Sequence, residues 1–254
     1  MSYTKTELIK DFENLGIKSG DKILIHASFK AMGEIEGGAK TFFDALKEVL
    51  TDEGAIVIPT LSYNPVYQTL EFDLNKTPSC VGWLTEYFRT EVKDVIRSIH
   101  PTHSCAVWGK TAEWFTEGHE KDDTPIGENS PFAKLREVGG KILMIGNVNN
   151  HNTTLHGVEE AGKAPYVFDY SAEPIEYRVT NSLGEAFKMK VRRHNIGQSG
   201  FLQQYSRIEN LLSERELTYG KLLDADATLM DAKAVWKKGV EKIKSDPYYF
   251  VDKI

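Results

Sequence analysis

Residues 153–162, TTLHGVEEAG, put one histidine and two glutamates within a single helical turn. His156 and Glu159 are spaced i, i+3 and His156 and Glu160 i, i+4, so on a helix either pair shares a face. An imidazole titrates near neutral pH, and a carboxylate beside it orients the ring and favours its charged form. That pairing suits general-base catalysis. The stretch follows KILMIGNVNNHN, an apolar run that ends in glycine and asparagines. It therefore stands just past the carboxyl end of a buried strand, where open α/β sheets gather their sites. A solvated helix face would carry the same pair, so the rest of the chain has to decide.

Other reactive residues sit in other strand-end loops. HASFKAMGEIEGGA supplies His26, Ser28 and Lys30, then Gly33, Gly37 and Gly38 before a helix. Glycines and small polar residues there can cradle phosphate with backbone N–H groups. The spacing matches neither GxxxxGK[ST] nor GxGxxG, so alone it reads as a plain turn. PTLSYNPVYQTLEFDLNKTPSC is a long polar and aromatic excursion of the functional-loop kind. RSIHPTHSCAVWG places His100 and His103 around a proline beside Ser104, but no further ligand has zinc spacing. Cys80 and Cys105 form no metal or redox motif and read as reduced thiols.

The elements that must hold these loops alternate. DKILIHAS (21–28), GAIVIPT (54–60), HSCAVWG (103–109) and KILMIG (141–146) read as strands. AKTFFDALKEVL (39–50), VGWLTEYFRT (81–90), KTAEWFTEG and SPFAKLREVG (130–139) read as helices, the last with Ser130 as cap and proline at its first position. The N-terminal MSYTKTELIKDFENLG reads as a helix with Thr4 and Glu7 in a capping box. Short apolar strands between amphipathic helices predict a three-layer α/β/α fold with a mixed, mainly parallel sheet. After about residue 170, PIEYRVT and AFKMKVRR flank NSLGE, which predicts an added antiparallel hairpin. Two helices, GFLQQYSRIENLLSE and DAKAVWKKGVEKIKSD, are then expected to close the chain. No repeat or linker interrupts the pattern, so residues 1–254 are expected to form a single domain.

Bulk properties narrow the function classes. The 254 residues are 41% hydrophobic and 27% charged, a globular composition. The formal net charge of −6 argues against a nucleic-acid partner, which would need a basic face. No apolar run has bilayer length, and the first residues lack the h-region of a leader, so no membrane partner and a cytoplasmic address are expected.

Six segments, in order, resemble the aminoglycoside 3-N-acetyltransferase family. GDKILIHASFKAMGEIEGGA is similar to its opening strand and HSS-type loop, here His26-Ala27-Ser28, and GAIVIPT to its second strand. TPSCVGWLTEYFR fits TPxxxGxLxExxR, RSIHPTHSCAVWG fits RSxHPxxSxxxxG, and PIGENSPFAKL fits GxxSPxxxL. GGKILMIGNVNNHNTTLHGVEEAG fits the strand and T-x-LH-xx-E turn. The C-terminal third matches loosely.

The resemblance implies direct acetyl transfer from acetyl-CoA, without a metal, to a primary amine of an aminoglycoside-like amino sugar. Alkyl and sugar amines are largely protonated near neutral pH, so a base must take a proton. The resemblance gives that role to His156, with Glu159 as its carboxylate and Glu160 in reserve. It sets acetyl-CoA against His26, Ala27, Ser28, Phe29 and Lys30, with Ser104 contributing from the adjacent strand. Asn152 to Thr154 open the helix beside His156, where donors can face a developing oxyanion. Three other readings stay open. An amino sugar carried on a nucleotide would need cations, with Lys76, Arg192 and Arg193 as candidates. A hydrolase would use Ser104 or Cys105, although no GxSxG elbow is present. A non-catalytic binding protein would have no use for the His/Glu pair. The acidic stretch EGHEKDDTPIGE (117–128) suits a polycationic acceptor if it lines the cleft.

Overall fold

The computed structural model describes residues 2–146 and 149–254; Asn147 and Val148, in the last family-like segment, lie outside the described residues. Helix α1 (Lys5–Asn14) opens with the expected capping box, the Thr4 side chain accepting from the Glu7 N–H while Glu7 accepts from the Thr4 N–H. Strand β1 (Lys22–Ala27), helix α2 (Gly38–Leu50) and strand β2 (Ala55–Pro59) follow in the predicted order. The excursion after β2 holds helix α3 (Tyr63–Thr69) and strand β3 (Glu71–Asp73) rather than running without structure. Helix α4 (Trp83–Glu91), strands β4 (Val95–Arg97) and β5 (Cys105–Trp108), helices α5 (Ala112–Thr116) and α6 (Pro131–Glu137), and strand β6 (Lys141–Ile145) lead to helix α7 (Thr154–Gly162). Ser130 caps α6 by accepting from the Ala133 N–H.

The C-terminal third holds a hairpin of β7 (Ile175–Thr180) and β8 (Ala186–Val191), then β9 (Phe201–Gln203), β10 (Leu217–Leu222) and β11 (Ala225–Asp231). Helix α8 (Ala232–Ser245) and strand β12 (Val251–Lys253) complete the chain.

The main sheet runs β10-β11-β6-β1-β2-β5-β4. Its three central strands, β6, β1 and β2, are parallel, and antiparallel pairs extend both flanks. The mixed α/β architecture is as expected, but the sheet is not mainly parallel: β6–β1 and β1–β2 are its parallel pairs and the other four neighbouring pairs are antiparallel, a direction that short apolar strands do not reveal. The β7–β8 hairpin lies beside this sheet and pairs with β3.

Side chains of the central strands alternate between two apolar layers, as period-two geometry requires. Ile23, Ile25, Ile56, Ile58, Leu143 and Ile145 pack with Phe12, Phe42 and Phe88 of α1, α2 and α4. Leu24, Val57, Val107 and Met144 pack with Phe132, Leu155, Val158 and Trp236 of α6, α7 and α8.

One expected element is corrected. GFLQQYSRIENLLSE is not an α-helix: Phe201–Gln203 pairs with Val251–Lys253, and Tyr205–Leu211 forms a 3₁₀ helix. Gly200 turns into that strand with φ +75°. A 3₁₀ turn has three residues, so Tyr205, Ile208 and Leu211 fall on one face. An i, i+3 apolar spacing is shared by both helix types, which is why the stretch read as α.

Candidate active site

The carboxyl ends of β1, β2 and β6 open on one cavity of about 650 Å³. Its wall includes His26 and Ala27 from the end of β1, Pro59 and Leu61 around the end of β2, and Asn150, His151 and Thr153 after β6. Because β5 runs antiparallel to β2, residues that precede β5 reach the same edge, and His103 joins the wall. The C-terminal third contributes His194 and Tyr205.

His156 enters from the first turn of α7. The Asn152 side chain accepts from the Thr154 N–H at 3.2 Å and so starts the helix. Leu155 and Val158 face the core, which turns His156 to the cavity. Glu159, one turn on, is fully buried. Its direct contact with His156 Nδ1 is 3.4 Å, long for a hydrogen bond. Tyr205 is nearer to both: its hydroxyl lies 2.6 Å from His156 Nδ1 and donates to Glu159 at 2.7 Å. Tyr166 donates to the other Glu159 oxygen at 2.8 Å. A buried carboxylate would be costly without such donors.

Glu160 points to a different partner. It lies 2.6 Å from His194 Nε2 and accepts from the Ile126 N–H at 3.0 Å. Burial pushes the Glu160 carboxyl up to about 8 and holds the His194 ring well below its usual range. Both shifts favour the uncharged forms, so the short contact is best described as one proton shared between two groups that burial keeps from charging separately. His194 also stands against His156, with ring centroids 4.7 Å apart.

His194 begins a series of imidazoles that runs inward. Centroid separations are 5.3 Å to His103, 6.3 Å on to His100 and 4.7 Å from His100 to His119. Burial depresses the pKa of His100 to about 3 and those of His103 and His119 well below the ordinary value. Among the described residues no three histidine, cysteine or carboxylate side chains come together as a metal site.

The structure distributes the remaining candidates. His26 faces the cavity and its Nε2 accepts from the Thr153 N–H at 3.4 Å; burial lowers its pKa to about 3. Ala27 is on the wall. Ser28 leads away into a short 3₁₀ turn, Phe29 packs against Phe42 and Trp83, and Lys30 is exposed. Ser104 is fully buried behind the wall, where it donates to the Thr60 carbonyl at 2.9 Å and accepts from Arg97 Nε at 3.0 Å. Cys105 is fully buried too. Of Asn152 to Thr154, Thr153 lines the cavity. In the acidic stretch, Asp122 is buried and accepts from the Asn129 N–H and amide group. Arg192 donates to the Asp169 and Ala172 carbonyls, Arg193 donates to Tyr177 and stacks on Tyr67, and Lys76 pairs with Asp73 on the surface.

Tyr205, Tyr166 and His194 were not among the sequence candidates. His194 had an available signal, a histidine directly after a predicted strand. Tyr205 had none, because it lay inside a segment with helical periodicity.

A histidine with a buried carboxylate beside it, set at the carboxyl ends of the parallel strands of a mixed sheet, gives an α/β protein with an enzyme-like cavity. The aminoglycoside 3-N-acetyltransferase family profile matches residues 24–244, and the chain belongs to that family. It is 30% identical over 179 residues to aminoglycoside N(3)-acetyltransferase III of Salmonella sp., a match covering 64% of this chain and 62% of that protein. It is 31% identical over 177 residues to the SPbeta prophage-derived aminoglycoside N(3')-acetyltransferase-like protein YokD of Bacillus subtilis (strain 168), covering 61% of this chain and 64% of that protein. These matches thus span less than two thirds of each curated relative. Among solved structures, AAC-IIIb in binary complex with CoASH superposes with a TM-score of 0.79 at 26% identity, covering 96% of this chain and 97% of that one. AAC-VIa bound to sisomicin gives a TM-score of 0.76 at 25% identity, covering 96% and 98%.

Proposed function

We propose that this protein transfers an acetyl group from acetyl-CoA directly to a primary amine of an amino sugar of the aminoglycoside kind, with His156 as general base. The observation that carries the reading is His156 on the cavity wall with Glu159 buried behind it, in a chain whose relatives are named for this activity. Residues 1–254 would act as one unit, since His156 is partnered from the C-terminal third and Thr153 from β1.

In the step itself the neutral amine, whose ammonium proton has already gone to solvent, attacks the thioester carbonyl through its nitrogen lone pair while His156 takes one of its two remaining protons. The carbonyl π pair moves to oxygen, then returns as the carbon–sulfur bond breaks. The proton held by His156 passes to the departing sulfur, so acetyl-CoA and amine become amide and CoA thiol. Thr153 is the member of the Asn152–Thr154 stretch that can meet the oxyanion, because it lies on the wall. The cavity has the size of a small-ligand site. The thioester arm of acetyl-CoA fits it beside His26 and Ala27, and the bulkier nucleotide would run outward along Ser28, Phe29 and Lys30. Ser104 supports the wall from behind through Thr60 and Arg97.

The competing readings find less support. A nucleotide-linked amino sugar needs free cations at the cavity, and Arg192 and Arg193 are engaged elsewhere. A hydrolase through Ser104 or Cys105 needs an accessible nucleophile, and both are buried.

The test is thiol release from acetyl-CoA in the presence of kanamycin-type amines and simpler amino sugars. His156→Ala should lower kcat by at least roughly 100-fold, the scale of lost general-base catalysis, with acetyl-CoA affinity unchanged. Turnover near that of the wild type in this variant would remove His156 from the mechanism.

A further inference from the structure

We propose that Tyr205 is a positioning residue that couples His156 to Glu159 and fixes the imidazole tautomer, holding a proton on Nδ1 so that Nε2 is the free base. The proposal rests on the reading of His156 as the base.

The argument is one of counting hydrogens. A phenol has one hydrogen to give, and an ionised carboxylate has none. Each Glu159 oxygen faces a phenol, Tyr205 at 2.7 Å and Tyr166 at 2.8 Å. The Tyr205 hydrogen therefore goes to Glu159, which leaves only lone pairs towards His156. At 2.6 Å, Nδ1 must supply the hydrogen of that contact, because two facing lone pairs would repel. A neutral imidazole carries a single N–H, so Nε2 keeps its lone pair. Burial and the Glu159 carboxylate raise the Tyr205 pKa well above its usual value, so the group stays a phenol.

The same contacts fix the ring. Tyr205 meets His156 edge-on, at 83° and 5.1 Å between centroids, and His194 stands 4.7 Å away at a tilt of 36°. During transfer Nε2 gains the amine proton and Nδ1 keeps its own. The cation so formed donates to the Tyr205 oxygen, whose O–H is polarised by Glu159. That proton then leaves from Nε2 to the CoA sulfur, and the Tyr205 hydrogen never changes owner. Glu159 acts on the base through the phenol, since its own approach to the ring is 3.4 Å.

The measurement is ¹⁵N NMR of the full chain labelled in histidine, with His156 assigned by comparison with His156→Gln. At neutral pH the wild-type ring should show a protonated Nδ1 and an unprotonated Nε2. In Tyr205→Phe that preference should fade and kcat should fall on the order of tenfold to 100-fold, with the KM for acetyl-CoA within about twofold of the wild type. The pair Tyr205→Phe with Glu159→Gln should cost no more than the larger single effect, because the two act in series. A wild-type ring protonated on Nε2 would overturn the proposal, and this outcome does not depend on Tyr205→Phe folding. So would Tyr205→Phe with unchanged tautomer and unchanged kcat, or fully additive losses in the pair. An Nδ1–H wild type together with an active His156→Ala variant would overturn the base assignment and leave the hydrogen-bond order standing.

Discussion

Gly157 follows the proposed base in α7, and adding one methyl there should both loosen the fold and slow the reaction. A Cβ at this position would lie 2.4 Å from Trp236 Cη2, 2.6 Å from Ile126 Cγ2 and 2.8 Å from Trp236 Cζ2. Trp236 and Ile126 are 3% and 2% exposed, so neither can swing into solvent. Alanine in a helix normally gains about 1 kcal/mol over glycine. Overfilling a packed core costs about 1–3 kcal/mol, and three contacts this short, two of them against a rigid indole, put the cost at the upper end. Gly157→Ala should therefore lose about 2 kcal/mol net, which for a chain of this size lowers the Tm by roughly 4–8 °C. Relief comes from α7 backing away from α8, and that motion carries His156 off its 2.6 Å contact with Tyr205. Thermal melts and steady-state kinetics on the same preparation should show the lower Tm together with a kcat that falls more than the acetyl-CoA KM rises. An unchanged or higher Tm would refute the packing argument, and a lower Tm with normal kcat would refute the link from α7 packing to the base.

Two further outcomes follow from the buried polar groups. Burial raises Glu160 from 4.5 to about 8, so the folded chain keeps a proton that the unfolded chain sheds above its own pKa. The stability this confers is complete below 4.5 and is lost as pH rises through about 8; between pH 7 and 8 the wild type should lose roughly 1 kcal/mol. Glu160→Gln should flatten that limb of the Tm–pH curve, and parallel curves for the two proteins would sink the assignment. Ser104→Ala should cost about 1–3 kcal/mol by stranding Arg97 Nε, with the acetyl-CoA KM unchanged. A raised KM at normal stability would instead make Ser104 a ligand contact.

The order of elements was legible where one face of each element is apolar and the turn residues are strong. The capping box at Thr4, the Ser130-Pro131 start of α6 and the β7–β8 hairpin all carry local chemistry that a single sequence displays. The β10–β11 hairpin does not. Its two-residue connection is Leu223-Asp224, with Leu223 at φ +55°, and so lacks the asparagine–glycine signature of such turns. The antiparallel setting of β5 was equally silent, because a short apolar strand reads the same in either direction.

The candidate site was half legible. The His156/Glu159/Glu160 cluster is local and could be read as i, i+3 and i, i+4. Its partners Tyr205 and His194 are fixed by tertiary contacts that no spacing reports. Several family-like motif residues act on the scaffold instead of at the cavity. Arg97 donates to the Thr60, Leu74 and Thr77 carbonyls as well as to Ser104. Glu86 receives Arg89 at 2.5 Å and the Ser79 N–H at 2.8 Å. A charged residue within a motif advertises importance in sequence without revealing whether it meets ligand or backbone.

The far-flung origin of the cavity wall bears on how the protein comes to be active. The Thr153 contact with His26 closes a loop of 127 residues, and Tyr205 reaches His156 across 49. Contacts of such sequence separation are entropically slow to close and belong to the late part of folding. On a ribosome, α7 would emerge with its histidine long before Tyr205 was synthesised. On the proposed reading, His156 would thus spend the early life of each chain without the phenol that is to fix its tautomer, and activity would wait until the last third had docked.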